Sequence, residues 1–509
     1  MKKALSVILA VLLLLSVCLL ASCGGGGDNG KDTGTDTNKQ QDSGSETNPC
    51  ETEPGDTEPD PGSETSDIER PYLDSIPDDV RFEGGEVHFL SRNNSNFVIE
   101  DVDELNEGDA VEVAVYTRQS EVEDRFGITV IGHEVEGTSE LNTKWANDVA
   151  SGSNAYDVMT GHMRFNGSLA LSGNNLNINK LKYVDLTQDY WNKSYCDDWC
   201  YKKVQFWVTG DIDQDFIGVM VAVYVNGDVF SKYHSDVNLL DIVVSGEWTY
   251  VKALELIDGV YEDLNGDNTM NKGDLFGWIF QNGWSVSSLA YSGGFHLSIP
   301  DGSKRKVDLV SGDNVAIYND FYKLVAAPNT VRQSSDDKPL QSGTCMFTHE
   351  TLDNMTSSSF SEVNFTVIPT PKYSVEEPYR TASYDGVPLI GVESSLEPEN
   401  YDMIGAFLES YASAGKKYVT EGFFEKGLRG KYSQDEASYK CLGIIRAAGW
   451  ADFIYAWANH MDDFYAVPDE PALGGQPSIT TYAASVVPAA QKKLDTLYTN
   501  LSKAAKAAS

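Results

Sequence analysis

The chain has 509 residues, which is enough for about two or three domains. Apolar residues make up 41% and aromatic residues 11%, so the chain can bury a large core. The formal net charge of −39 at pH 7 argues against binding nucleic acid or an anionic membrane surface through a basic patch. The seven histidines are scattered without HExxH spacing, which gives a zinc enzyme little support.

The first segment predicts export. Lys2 and Lys3 precede an unbroken run of apolar and small residues from 4 to 21, which is typical of a signal peptide. A retained membrane helix is the alternative, because the run is nearly long enough to span a bilayer. The "LASC" sequence ending at Cys23 resembles the bacterial lipobox, which favours a lipoprotein signal peptide over 1–22 and lipidation of Cys23. Two acyl chains on that residue would anchor the protein stably to the membrane.

Residues 23–80 are predicted to be a disordered acidic tether. Residues 24–70 consist largely of Gly, Ser, Thr, Asp, Glu and Pro, and such a composition cannot bury enough apolar surface to fold. We expect the folded region to begin near Arg81.

Five cysteines remain in the mature chain. These are Cys50, Cys196, Cys200, Cys345 and Cys441. Because their number is odd, at least one of them is not paired with another cysteine of this chain. The "CDDWC" spacing of Cys196 and Cys200 is compatible with a disulfide and equally with two free thiols, and the sequence does not decide between them.

Strands and helices alternate in the first part of the folded region. A strand is predicted at 84–92, a helix running into a strand at 109–135, and a helix followed by the short strand "YDVMTG" at 140–161. This alternation predicts a parallel α/β sheet.

The second part continues the α/β pattern and then becomes helical. The β-branched stretch 207–230 is predicted to be a long strand that leaves one sheet and enters another. Further predictions are a helix at 248–264, a helix at 314–327, a strand followed by a helix at 343–355, a strand at 363–373, and helices from 403 onward.

The stretch "DLNGDNTMNKGD" has the oxygen spacing of a calcium loop. Calcium takes about six to eight oxygen ligands, which a loop of about twelve residues supplies at alternate positions. The alternative is an Asp/Asn-rich turn between two helices, whose side chains cap backbone amides. If calcium binds, we expect a structural ion held by Asp263, Asn265, Asp267, Thr269, Asn271 and Asp274.

The order of motifs resembles a known family. "YDVMTGHMRF", "VDLTQDYWN", "KKVQFWVTGD", "VYVNGDVF", "GEWTYVKALELIDGVYEDLNGDNTMNKGDLFGW" and "GLRGKYSQDEAS" occur in the order found in the sugar-binding, maltose-binding-protein-like family of bacterial solute-binding proteins. These proteins serve ABC importers from outside the cytoplasm. The similarity extends over most of residues 84–470.

This resemblance implies an α/β protein with the two-lobed type II periplasmic-binding-protein fold and a helical C-terminal region. Carried onto this chain, lobe one comprises 81–210 and 375–420, and lobe two comprises 211–374 and 421–509. The implied function is capture of a sugar or oligosaccharide in a cleft between the lobes and its delivery to an ABC permease. The expected form is a monomer on the outer face of the cell membrane, and the acidic surface favours a neutral or cationic solute.

The resemblance also points to candidate ligand-binding residues, because sugars are bound by aromatic rings and hydrogen-bonding side chains. Five of them have a structural alternative: a solvated or ion-paired surface position for Arg164, core packing for Trp284 and Trp191, and capping at the hinge for Asp211 and Asp213. The candidates are His162, Arg164, Trp191, Asp211, Asp213, Trp284, Tyr384 and Asp385.

Three other functions are compatible with parts of the sequence. A glycoside-acting enzyme would need a pair of carboxyl groups, but pairs are easily found in so acidic a chain, and no GxSxG motif or phosphate-binding loop stands at a fitting turn. A dockerin would need two calcium loops in a short terminal module. A surface polysaccharide-binding lipoprotein without a transporter is hardly distinguishable from the importer component by sequence.

Overall fold

Strands of two main sheets form the framework of the chain, which a computed structural model describes for residues 71–92, 105–281, 283–333, 337–428 and 436–509. The signal peptide, Cys23 and most of the tether lie outside these ranges. The strands, β1 to β14 in chain order, are Gly85–Arg92, Ile128–Val135, Val158–His162, Cys200–Tyr201, Val204–Gln205, Val221–Asn226, Tyr261–Glu262, Leu275–Phe280, Ser298–Asp301, Lys304–Val307, Thr330–Arg332, Cys345–Thr351, Phe365–Ile368 and Pro388–Val392.

The helices cover the sheets and make up most of the C-terminal region. The α-helices, α1 to α17 in chain order, are Ala110–Phe126, Thr138–Ser151, Met163–Leu171, Lys193–Asp198, Asp215–Gly218, Gly227–Tyr233, Leu239–Val244, Tyr250–Ile257, Gly283–Ser292, Asn314–Val325, Pro339–Ser342, Tyr401–Ala414, Glu421–Leu428, Glu436–Ala447, Phe453–Ala456, Asp469–Leu473 and Ile479–Ala508. A π-helical turn, Gly415–Thr420, joins α12 to α13.

The first sheet has the strand order β14-β3-β1-β2. Strand β1 is parallel to β2 and to β3, which confirms the predicted parallel α/β arrangement, while β14 is antiparallel to β3. Because side chains alternate along a strand, Val87 and Phe89 enter one apolar cluster and Leu90 enters another. Apolar side chains therefore cover both faces of β1.

The second sheet has the strand order β11-β8-β12-β6-β13, with β7 added beside β8. Strands β8, β11 and β12 are parallel, and β6 is antiparallel to both β12 and β13. Every residue of β6 and β8 is buried. Their continuous apolar sequences, without alternation, are typical of strands covered on both faces.

Two chain segments, which we call the hinge, connect the sheets: residues 208–220 and 381–387. Val208 pairs with Ile390 of the first sheet, Met220 pairs with Ser383, and the Val221 amide at the start of β6 donates to Ala382. The two segments therefore run side by side. The carboxyl ends of β1 and β3 approach the hinge, as does the carboxyl end of β12, where Leu352 N–H donates to Met220.

Three local predictions are wrong. Residues 207–230 are not one strand, because a short helix at 215–218 interrupts the stretch and α6 begins at Gly227 directly after β6. The helix predicted over 248–264 is only Tyr250–Ile257, since Gly259, at φ +72°, adopts a left-handed conformation that ends helices. The Asp/Asn-rich loop consequently joins the antiparallel strands β7 and β8 and does not lie between two helices.

The structure also constrains the cysteines. Of the described cysteines, Cys196, Cys345 and Cys441 are buried and form no disulfide, whereas Cys200 is disulfide-bonded. A Cys196–Cys200 bridge is therefore absent. Within the ranges that the structure describes, no helix combines the length and apolar character needed to cross a membrane.

Candidate functional site

Four of the predicted ligand residues come together beside the hinge. His162 is the last residue of β3, and Arg164 lies in the first turn of α3. Tyr384 and Asp385 belong to the second hinge segment, where the Tyr384 amide donates to Val219 at 2.8 Å. The Met163 amide donates to Val387 at 2.9 Å, and this fixes the start of α3 against that segment.

Asp463 joins these four residues, and we call the five together the cleft cluster. Arg164 Nη1 lies 3.2 Å from Asp385 Oδ2, and Arg164 Nη2 donates to Asp463 Oδ2. Asp463 adopts a left-handed conformation with φ +54°, just before the turn Phe464–Ala466. Arg164 therefore links the first sheet, the hinge and the C-terminal helical region.

Several polar atoms of the cleft cluster are buried without a partner. Asp385 Oδ1, Asp463 Oδ1 and His162 Nδ1 make no hydrogen bond to any part of the chain that the structure describes. The Asp385 side chain is only 4% exposed, and its Oδ1 lies 3.8 Å from His162 Nε2, beyond hydrogen-bond distance. Because a buried acceptor without a donor costs about 1–3 kcal/mol, the cluster is prepared for a ligand that donates hydrogen bonds.

Two exposed aromatic rings border these polar atoms. Phe165 is 42% exposed and Tyr384 is 38% exposed. Their ring centroids lie 4.9 Å and 6.4 Å from that of His162. Rings next to hydrogen-bonding groups suit a ligand with apolar faces and a polar rim.

Burial sets the protonation of the cleft cluster. It lowers the pKa of His162 to about 4, with the nearby Arg92 and Arg164 charges acting in the same direction. His162 is therefore neutral at pH 7 and offers one donor and one acceptor. Burial also raises the pKa of Asp385, although Arg164 opposes this rise.

More carboxyl groups lie at the hinge and at the end of β12. The predicted residue Asp213 accepts from Thr160 Oγ1 at 2.7 Å and from the Asp215 amide at 3.0 Å, so it connects the first hinge segment to β3. At the end of β12, Glu350 accepts from Gln281 and, at 3.2 Å, from Asn354 Nδ2.

Trp191 lies in the core, away from the cleft cluster. It is 3% exposed, and its Nε1 donates to Glu409 Oε2 at 2.9 Å. Glu409 also accepts from the Tyr190 hydroxyl and from the Asp185 amide. Trp191 is thus held by a hydrogen-bonded network that joins residues 185–191 to α12, as the core-packing alternative expects.

Asp211 is also separated from the cleft cluster. It is paired with Arg446 and accepts from Thr420 Oγ1 at 3.1 Å. Asp211 and Trp191 both line a cavity of about 640 Å³ between residues 187–197 and 446–449. Since both carboxylate oxygens of Asp211 have partners, this cavity lacks the unpartnered acceptor found at Asp385.

Trp284 is the second residue of α9, which follows the carboxyl end of β8. Its side chain lies outside the described part of the structure. The backbone position places it after Gln281, whose side chain reaches Glu350. Its predicted role as a stacking residue stays a prediction.

The predicted calcium loop is held by hydrogen bonds within itself. Asp263 accepts from the Gly266 and Asn268 amides at 2.7 Å and 2.8 Å, and Asp274 accepts from the Asn271 amide and the Tyr261 hydroxyl, both at 3.0 Å. Among the described residues, no three His, Cys, Asp or Glu side chains are grouped to hold a metal ion. The geometry thus agrees with capping of backbone amides, and calcium binding stays a prediction.

No family model and no curated protein matches the sequence. The structure is similar to that of the cyclic α-maltosyl-1,6-maltose binding protein of Arthrobacter globiformis, with a TM-score of 0.56, 12% identity, and coverage of 81% of this chain and 99% of that chain. It is also similar to a cyclo/maltodextrin-binding protein complexed with maltotetraose, with a TM-score of 0.50, 13% identity, and coverage of 83% and 98%. The chain therefore has the two-lobed α/β fold of maltose-binding-protein-like proteins.

Phe165 and Asp463 are not among the candidate residues predicted from sequence. Phe165 follows Arg164 directly, so an aromatic residue in the same turn was a readable signal. Asp463 reaches Arg164 across 299 positions of sequence, and nothing in its local sequence indicates this contact.

Proposed function

We propose that this protein is an extracellular solute-binding protein that captures a sugar or oligosaccharide between its two lobes. The observation that carries the proposal is the unpartnered, buried Asp385 Oδ1 beside the exposed rings of Phe165 and Tyr384. A hydroxyl-rich ring would supply the missing donor and place its apolar face on an aromatic side chain.

The position of the cleft cluster supports capture by closure. Its residues come from the first sheet, the hinge and the C-terminal region, so a bound solute would contact segments that move relative to one another when the hinge bends. A ligand that binds the closed form more tightly shifts the population toward closure. An ABC permease would then recognise the closed form, and lipidation of Cys23 would keep the protein at the outer face of the membrane as a monomer.

A thermal-shift screen tests the proposal. Mature protein without the signal peptide is heated with mono- and oligosaccharides, with amino acids and peptides included as competing classes. Binding to the folded state raises the melting temperature by mass action, so at least one carbohydrate should produce a dose-dependent rise.

Calorimetric titration of each carbohydrate that raises the melting temperature should then give saturable binding that Asp385→Ala weakens. Asp197→Ala is the matched control, because Asp197 lies on α4 beside the other cavity. Responses confined to amino acids or peptides, or to no solute at all, would contradict the proposal.

A further inference from the structure

Cys200 lies on the hairpin formed by β4 and β5, residues 200–205, which we call the basic hairpin. The residue is half-buried and disulfide-bonded. The hairpin packs against the C-terminal helix, because the Tyr201 hydroxyl lies 3.0 Å from Ser502 Oγ of α17. The bond therefore requires a second cysteine that reaches the hairpin beside α17.

None of the other described cysteines is this partner. Cys196, Cys345 and Cys441 are buried and form no disulfide. Cys196 is the nearest in sequence, but its thiol donates to the Thr209 carbonyl at 3.6 Å, and burial raises its pKa to about 12. Such a thiol supplies little thiolate for disulfide exchange. The partner therefore belongs to the part of the chain that precedes the described residues.

Three cysteines lie in that part of the chain, and the predicted processing leaves one of them. Cys18 belongs to the predicted signal peptide, and Cys23 is the predicted lipidation site, so Cys50 remains. Cys50 stands 21 positions before Pro71, the first described residue. An extended chain of that length spans about 70 Å, which is enough to reach any face of a body of this size.

The basic hairpin presents positive charge in a chain whose net charge is −39. Lys202 and Lys203 form its turn, and both are exposed. Both adopt left-handed conformations, with φ +52° and +64°, at turn positions that favour Asn and Gly. The nearby carboxylate of Asp197 is paired with Lys193. The turn is therefore suited to an acidic partner.

The sequence around Cys50 supplies the complementary charge. Residues 46–69 include nine acidic residues and neither lysine nor arginine. Attraction between opposite charges raises the local concentration of this segment at the basic hairpin. It thereby favours encounter of Cys50 with Cys200.

We propose that Cys50 and Cys200 form a disulfide that holds the acidic segment 46–69 on the basic hairpin. In forming the bond, the two thiols give two protons and two electrons to an oxidised thiol–disulfide oxidoreductase, which is reduced to its dithiol. The proposal rests on the export included in the proposed function, because disulfides persist outside the cytoplasm, and does not depend on capture of a sugar. The free tether then runs over the 27 positions from Cys23 to Cys50, and not over the 48 positions from Cys23 to Pro71.

Thiol counting and peptide mapping of the exported protein test the bond. Protein unfolded without reductant should react with a maleimide at three cysteines, and at five after reduction; the three are Cys196, Cys345 and Cys441. Trypsin should release the peptides 40–81 and 194–202 as one cross-linked pair that reduction separates. Five reactive thiols before reduction, or Cys50 bonded to a second copy of the chain, would overturn the proposal.

Serine variants assign the bond to its two cysteines. Cys200→Ser should abolish the cross-linked pair, whereas Cys196→Ser, the matched control in the same tryptic peptide, should keep it. Cys50→Ser should also abolish the pair, and it gives the same test without altering the packed hairpin. A pair that survives in Cys200→Ser or in Cys50→Ser would refute the assignment.

Proteolysis tests whether the charges hold the segment in place. A glutamate-specific protease should cleave after Glu51 about fivefold more slowly in the unsubstituted protein than in Cys50→Ser, because a bound segment must open before it is cleaved. Lys202→Gln combined with Lys203→Gln should speed cleavage about threefold with the disulfide intact. Mass spectrometry of the released fragments gives the rates.

Two exposed lysines elsewhere provide the control for charge. Lys232→Gln combined with Lys323→Gln, on α6 and α10, should leave the rate of cleavage unchanged. If both double variants are cleaved at the rate of the unsubstituted protein, the basic hairpin does not bind the acidic segment and that part of the proposal is wrong.

Failure of this proposal is distinguishable from failure of the proposed function. If the cross-linked pair is absent while a carbohydrate raises the melting temperature, the proposal is wrong and solute capture stands. If the pair is present and no carbohydrate raises the melting temperature, solute capture is wrong and the disulfide stands.

Discussion

The cleft cluster and the surroundings of Trp191 and Asp211 have similar compositions but different hydrogen bonding. Both combine aromatic rings, carboxylates and an arginine, and both lie near the hinge. Around Trp191 and Asp211 the carboxylates of Glu409 and Asp211 accept from neighbouring side chains. In the cleft cluster, Asp385 Oδ1 has no donor.

This difference separates structural polar groups from binding groups. A buried carboxylate whose oxygens accept from the protein stabilises the fold and has little left to offer a ligand. A buried carboxylate with an unpartnered oxygen contributes less to stability and more to recognition. We therefore expect substitutions around Trp191 to change the free energy of unfolding, and substitutions in the cleft cluster to change solute affinity.

The largest expected effect is that of Trp191→Ala on stability. It removes a large buried ring and leaves Glu409 without one of its donors, so the free energy of unfolding should fall by about 3–5 kcal/mol. Urea unfolding measures the loss. The protein that remains folded should bind solute with nearly unchanged affinity, and a selective loss of affinity would place Trp191 in the binding site and break the comparison.

Arg164→Ala should change solute affinity strongly and stability only slightly, the opposite of Trp191→Ala. Its ion pairs are partly exposed, so the melting temperature should change by only a few degrees, corresponding to roughly 1 kcal/mol. Solute affinity should fall about 10–100-fold, because the variant no longer positions Asp385 and Asp463 and loses a charged hydrogen-bond donor. Titration calorimetry measures the solute affinities of Arg164→Ala, of the unsubstituted protein and of Lys193→Ala, an exposed control on α4. An Arg164→Ala affinity equal to that of the control would contradict the prediction.

Glu393 sharpens the comparison, because its unpartnered oxygen has a different explanation. The residue is fully buried, its Oε2 accepts from Ser395 at 2.8 Å, and its Oε1 has no partner among the described residues. Burial, supported by the neighbouring Asp148 and Asp157, raises the pKa of Glu393 to about 8. At pH 7 the side chain therefore holds a proton, so its unpartnered oxygen is not that of an ionised carboxylate awaiting a donor.

Because Glu393 holds this proton only in the folded protein, the free energy of unfolding should depend on pH. Between the ordinary Glu pKa of 4.5 and the folded-state value of about 8, folded protein binds a proton that unfolded protein has lost. The free energy of unfolding should therefore decrease as pH rises through this interval, by on the order of 2–4 kcal/mol. Urea unfolding at several pH values should show a weaker decrease for Glu393→Gln, and parallel curves for the two proteins would contradict the assignment.

The smallest expected effect concerns the loop between β7 and β8. If calcium binds there, it should raise the melting temperature by about 2–4 °C over an EDTA-treated sample, as expected for roughly 1 kcal/mol in a large chain. Asp267→Ala should abolish the rise without changing solute affinity. No rise in the unsubstituted protein would leave the loop as a capped turn, and loss of solute affinity with EDTA would give the metal a functional role.

Much of the fold could be predicted from sequence because its signals are local. Alternating strands and helices at 84–161 predicted the parallel sheet, and helical periodicity after 403 predicted the C-terminal region. The interruption at Asp215–Gly218 was missed because the β-branched residues around it favour strand, and the hinge contacts that bend the chain there are long-range.

The candidate site was predictable only in its local part. His162 ends β3 and Arg164 lies two residues further on, at a carboxyl end of the sheet that sequence indicates as a binding position. Trp191 donates to Glu409, 218 positions away, and Asp211 accepts from Arg446, 235 positions away. Contacts at such separations leave no local signal in the sequence, so these hydrogen bonds could not be predicted.

The central claim is that solute binds at the cleft cluster and draws the two lobes together. Spin labels on Glu399→Cys and Asp258→Cys, both at exposed positions, report the distance between the first sheet and helix α8, which covers the second sheet. The native thiols Cys196, Cys345 and Cys441 are buried and should not take up label. Pulsed electron–electron double resonance should show this distance shorten when a solute from the thermal screen is added. Protein that also carries Asp385→Ala should need a higher solute concentration for the same shortening. An identical distance distribution with and without saturating solute would contradict the claim.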